Sequence, residues 1–201
     1  MNTMQKRQVS YFVVFISGFV VMVLELLGSR ILAPFIGNTI AVRTGLIGII
    51  LIALGLGYYV GGILADKNAK YSILLSIILS AAFFIFLIIP IKSFMLNKVS
   101  DLPYGVAGII GSLALFLVPG TLLGMTTIYT IRLNLNELGA VGSINGTLYG
   151  ISTAGSIIGV FATSMYLVPR LPTSMILGGL SILLALAATL VFLTAKKWGR
   201  R

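Results

Sequence analysis

Apolar residues run through this chain in six long stretches, and polar residues collect in the short gaps between them. The stretches fall roughly at 10–33, 43–65, 71–91, 104–130, 146–168 and 173–195. Each meets or passes the ~20 residues that a helix needs to cross a hydrocarbon core of about 30 Å. Runs such as Ile47–Leu54 would serve as strands in a soluble protein. An open sheet in lipid leaves its edge amides and carbonyls unpaired, so helices are predicted throughout. The gaps carry helix-ending chemistry. Pro34, Gly37 and Asn38 close the first stretch, and Asp66, Lys67, Asn68 and Lys70 divide the second from the third. Lys92, Asn97, Lys98, Asp101 and Pro103 form the next gap. Arg132, Asn134, Asn136 and Glu137 follow as a polar segment, and Pro169, Arg170 and Pro172 make a tight turn. The pattern predicts an all-α integral membrane protein of about six transmembrane helices, one polytopic domain over residues 1–201.

Composition narrows the function classes. The chain is 58% hydrophobic and only 9% charged, too few charged side chains to cover a soluble domain of 201 residues. Six spans leave only short loops and two tails, so no extramembrane domain is expected. The chain has no cysteine and no histidine. That removes disulfides, thiol catalysis, the commonest metal ligand and the usual proton shuttle. Four acidic residues give no carboxylate pair, Ser/His/Asp set or metal cluster, so neither an enzyme nor a metal or cofactor site is expected. Gly55-Leu56-Gly57 has Val60 where a dinucleotide fingerprint needs glycine. The first apolar run is span-length and holds Glu25, which is unlike a cleavable signal.

Net charge is +10, and the basic residues sit at the ends of apolar runs. That placement points to anionic lipid headgroups and topology control, not to nucleic acid. Lys6, Arg7, Lys67, Lys70, Arg132, Lys196, Lys197, Arg200 and Arg201 fall on one side, nine of the fourteen. Arg43, Lys92, Lys98 and Arg170 fall on the other, and Arg30 lies near a helix end. The bias predicts a multi-pass protein of the cell membrane with both termini cytoplasmic, Trp198 lying at headgroup level.

Glycines concentrate in the second and fifth stretches. Gly57 and Gly61, and likewise Gly155 and Gly159, stand four apart, so each pair lies on one helical face where another backbone can approach closely. Close packing is the plain reading of these positions. If the chain is two three-helix units of inverted topology, stretches two and five are equivalent, and both are the glycine-rich members of their units. Asn145 opens a sequon-like triplet at the cytoplasmic end of stretch five and is expected to cap that helix. Pro119-Gly120 is expected to kink the fourth helix.

Glu25 is the one acidic residue inside a predicted span. An ionised carboxylate there costs on the order of 2.5–3.5 kcal/mol, so it should face protein or a water-filled cavity. Either it is a cation or proton site, or it is a buried acid held by a neighbouring donor. Arg30 is five residues on, a net turn of ~140°, so it cannot share the face of Glu25 and should reach an interface or another helix. Among the tyrosines, Tyr149 is singled out as a second substrate- or proton-binding candidate, because it lies among glycines near the inner end of its span.

Two stretches carry a family resemblance. Gly62-Ile63-Leu64-Ala65-Asp66-Lys67 resembles the loop signature of the major facilitator superfamily, with Ala69 where that pattern usually has glycine. The run from Glu25 through Arg30 and Pro34 to Gly37, then Gly57-Tyr58-Tyr59 to Asp66, with Asn145–Gly150 and Ser152–Ser156, resembles the membrane region of membrane-fused spermidine synthase-like proteins. The resemblance implies a major-facilitator-like half, with Glu25, Arg30 and Asp66 on matching motif positions. It also implies gating or structural roles for Arg30, Asp66 and Lys67. In that family an aminopropyltransferase domain commonly follows the membrane part. The 201 residues hold none, so aminopropyl transfer is not carried over. The function expected is a transporter-like six-helix half that moves polyamines or other organic cations as a homodimer among membrane lipids. The competing expectation is a non-transporting anchor or scaffold for a separate, soluble aminopropyltransferase.

Overall fold

The structure is a computed structural model, and it describes residues 3–134 and 141–196. Asn136, Glu137 and the terminal Lys197, Trp198, Arg200 and Arg201 therefore lie outside the described residues. The first four helices are α1 (Thr3–Ile36), α2 (Ile40–Lys67), α3 (Tyr71–Asn97) and α4 (Tyr104–Leu133). The fifth, α5 (Val141–Phe161), continues through a π-helical turn (Ala162–Leu167) and a last α turn (Val168–Arg170). The sixth is α6 (Thr173–Lys196). All six are long and apolar enough to cross a membrane, and no strand occurs among the described residues. The chain is an all-helical bundle with the make-up of a multi-pass membrane protein.

Helix ends follow local chemistry, and three of them differ from the sequence expectation. Pro34 sits inside the last turns of α1, and the helix stops only at Gly37, whose φ of 91° is left-handed backbone that glycine adopts without penalty. The Gly37 amide still donates to the Ala33 carbonyl at 3.0 Å, and Thr39 then opens α2 by accepting from the Val42 amide at 3.3 Å. Lys92 belongs to α3, which continues past Pro90 to Asn97, so it is not part of the loop expected there. Asn145 does not cap α5. The chain is already helical from Val141, which leaves Asn145 inside the helix with a buried Oδ1 that has no hydrogen-bond partner among the described residues. Pro119-Gly120 lies within the uninterrupted run of α4.

Short connections make neighbouring helices antiparallel, so α1 and α5 run together, as do α2 and α4. α1 and α4 cross at the centre, where Ser17 Oγ donates to the Leu123 carbonyl at 3.1 Å and lies 3.3 Å from Thr127 Oγ1. Around that crossing Val20, Val23, Leu24, Leu27, Phe116 and Leu123 make a closed apolar core. α3 and α6 pack against each other, α3 also against α4 and α6 against α1. α2 lies along α4 and α5 along α1, and α5 is the least enclosed helix.

Glycine decides how close those two lateral contacts come. A Cβ added at Gly57 would overlap the Thr121 carbonyl oxygen, and one at Gly61 would lie 2.8 Å from Met125 Cα. In the other lateral pair, a Cβ at Gly155 would overlap the Phe15 carbonyl oxygen, and one at Gly159 would lie 2.8 Å from that of Phe19. The facing helices reciprocate, Gly124 against Leu54 and Gly18 against Ser152. Ser156 Oγ adds a hydrogen bond of 3.1 Å to the Gly18 carbonyl. These are contacts of backbone on backbone, available to a helix only where it carries no side chain.

Candidate functional site

The first helix carries Glu25 in its second half. Spacings of four, three and four residues put Gly18, Met22, Glu25 and Ser29 on one stripe of α1. Gly18 and Met22 on that stripe meet Ser152 and Gly159 of α5. The stripe therefore leads along the α1–α5 contact to Glu25, which is half-buried. Its carboxylate has no hydrogen-bond or ion-pair partner among the described residues. Nor is it among the enclosed polar atoms that lack one, which are Ser112 Oγ and Asn145 Oδ1. Its oxygens thus reach an accessible surface while its stem is packed. In hydrocarbon such a group is costly, and a cation, a proton or a polar partner offsets that cost.

Arg30 ends the same stretch of α1 and reaches another helix. Its guanidinium donates to the Val168 carbonyl at 2.5 Å and to the Leu171 carbonyl at 3.3 Å. It thereby ties the end of α1 to the α5–α6 turn, and it makes no contact with Glu25 among the described residues. At the opposite end of the bundle, Asp66 accepts from Arg132 Nε at 2.6 Å, joining the end of α2 to the end of α4. Lys67, beside it, is exposed. Fully buried Tyr129 strengthens this tie: its hydroxyl donates to the Asn68 carbonyl, lies 3.2 Å from the Lys70 carbonyl and accepts from the Lys70 amide at 2.9 Å.

Tyr149 lies at a different level from Glu25. It precedes Gly159, which packs on Phe19 and Met22, by ten residues, whereas Glu25 lies beyond Met22. Because α1 and α5 run in the same direction, the two groups are about 20 Å apart along the helix axes at 1.5 Å per residue. The two sequence candidates thus sit at separate places, Glu25 level with the second half of α5 and the exposed Tyr149 in its first half.

Two arrangements had no clear signal in the sequence. Tyr129 was one of several tyrosines, and nothing in its neighbours marks it as the residue that holds the α2–α3 turn. The second is the π-helical turn after Gly159; its only forward sign is the close pair Pro169 and Pro172 just beyond it. No protein-family profile matches the chain, and no curated protein or solved structure matches it either.

Proposed function

We propose that this chain is one half of a transporter, two inverted three-helix repeats that pair with a second copy of themselves. A matched register carries this reading. One shift in residue number takes Leu54, Gly57 and Gly61 of α2 to Ser152, Gly155 and Gly159 of α5. A second shift takes Phe15, Gly18 and Phe19 of α1 to Thr121, Gly124 and Met125 of α4. These three contacts between α2 and α4 thus have counterparts between α5 and α1, residue for residue. The second shift also takes Ser17 to Leu123, its own hydrogen-bond partner, as a twofold axis through the crossing requires. It takes Ser10 to Phe116 and Gly28 to Asn134. Ser10 bonds to Asn134 at 2.8 Å, and a Cβ at Gly28 would lie 3.3 Å from Phe116. Repeats related in this way are a common plan of secondary transporters, whose substrate sites lie between repeats and between halves.

The cargo proposed is an organic cation of the polyamine kind, and Glu25 is the group that attracts it. Glu25 breaks the internal symmetry, since the second shift takes it to the apolar Ile131. A packing position would tolerate an apolar residue in both repeats, whereas a binding group is needed in only one. Anionic lipids meet the exposed Arg7, Lys67 and Lys70 on the cytoplasmic side of the proposed topology. The test uses Glu25→Gln in proteoliposomes, which keeps shape and removes charge. The mutant should fold normally and lose binding and pH-dependent uptake of labelled spermidine. Native mass spectrometry of the unmutated protein should find two copies. Unchanged binding and uptake would make Glu25 structural and favour the anchor for a separate aminopropyltransferase.

A further inference from the structure

In an α-helix each amide serves the carbonyl four residues back, and proline has no amide hydrogen to give. Pro169 therefore leaves the Met165 carbonyl unserved, and the Val168 carbonyl is left open because the helix ends at Arg170, before the extended Leu171. Two arginines take the missing places. Arg170 donates to the Met165 carbonyl at 3.0 Å and lies 4.4 Å over the ring of Tyr166. Arg30, from α1, donates to the Val168 carbonyl and to that of Leu171.

Immediately before Pro169 α5 changes register. Ala162–Leu167 is π-helical, and the Val168 amide bonds to the Thr163 carbonyl, five residues back. A turn of this kind holds one residue more than an α turn and is rare, occurring mostly within helices and frequently at functional sites. If it relaxed to the α register, the end of α5 would advance by about 1.5 Å and turn by about 100°. Both ends of the turn are anchored to α1. At the near end Thr163 is fully buried and donates to the Gly159 carbonyl at 2.6 Å, and Gly159 packs on Phe19 and Met22. At the far end the anchor is Arg30. Advance or rotation of the helix end would break both of its hydrogen bonds.

We propose that Arg30 is the latch of a register switch in α5. With Arg30 on the Val168 and Leu171 carbonyls the turn is held as π. When the guanidinium leaves, the turn relaxes to α and the α5–α6 turn moves outward and rotates against α1. The stretch of α1 between the two anchors, Met22 to Arg30, contains Glu25, so the switch works alongside that carboxylate. It depends only on Arg30 and the π turn, and stands whether Glu25 binds a cation or merely packs.

The native chain has no cysteine, so spin labels can be placed at will. Tyr166→Cys and Phe94→Cys, both at exposed positions, give one distance between the π turn and the end of α3. In lipid nanodiscs the otherwise native protein should show a single distance. Arg30→Gln should add a second population of about a tenth or more, several ångströms away. Deleting Ser164 removes the extra residue, and Arg30→Gln should then leave a single distance. A single native distance in Arg30→Gln overturns the switch, as does a second population that survives the deletion. Should Arg30→Gln fail to fold, hydrogen exchange of the unlabelled native protein decides. Amides of Leu167 and Val168 exchanging together about tenfold faster than that of Phe161 support the switch, and uniformly slow exchange overturns it.

Discussion

At the scale of single residues, the end of the bundle that carries the α2–α3 turn is held by a tyrosine more than by the ion pair beside it. Asp66 and Arg132 meet at 2.6 Å, but their side chains are 67% and 46% exposed. Water screens such a pair, and a double-mutant cycle on Asp66→Asn and Arg132→Gln should give a coupling of no more than about 1 kcal/mol. Tyr129 is fully buried, and one hydroxyl serves the backbone of Asn68 and Lys70. Tyr129→Phe keeps the ring and loses those bonds. It should cost about 1 kcal/mol in thermal unfolding in detergent and speed hydrogen exchange at the Lys70 amide. A loss at Asp66→Asn larger than at Tyr129→Phe would reverse this order. The sequence drew attention to Asp66 through a loop signature. Tyr129 stayed hidden, because a buried phenol is identified by what lies across from it, here a turn about sixty residues earlier in the chain.

At the scale of helices, glycines that look alike in the sequence separate into two kinds. Gly57 and Gly155 sit where an added methyl group would overlap a carbonyl oxygen of the facing helix, whereas nothing lies within 4 Å of a Cβ at Gly48, Gly146 or Gly150. Gly57→Ala and Gly155→Ala should therefore destabilise the bundle by about 1–3 kcal/mol, the usual cost of overpacking. Gly48→Ala and Gly146→Ala should be neutral or stabilise by up to about 1 kcal/mol through helix propensity. Melting temperatures of the four variants in one detergent check the order, and equal effects would contradict the close contacts. The four-residue spacing of Gly57 and Gly61, and of Gly155 and Gly159, was legible as a packing face. The partner helices were not, because spacing fixes a face but not what it meets. Helix existence was likewise readable from apolar length. Ends were harder: a proline in a last turn, as at Pro34, lacks a donor but still fits the helix, and Lys92 and Asn145 lie within helices although they read as punctuation.

At the scale of the whole molecule, the proposed topology puts the Arg30 tie outside and the Tyr129 tie inside. A cysteine at Lys98 should react with an impermeant maleimide in intact cells, and one at Lys67 only after the membrane is opened. Labelling of position 67 from outside would invert the orientation. The pairing of α5 with α1 also sets a timetable for synthesis. α1 is made well before α5, the helix that covers its Gly18 surface, with roughly 140 residues between Phe15 and Gly155. At ~5–20 residues per second that interval is on the order of ten seconds. Through it the newborn first helix stands in the bilayer with a backbone groove that only lipid chains or the insertion machinery can fill. Its partner must displace them on arrival, so the last stage of assembly is a competition between lipid and a late helix.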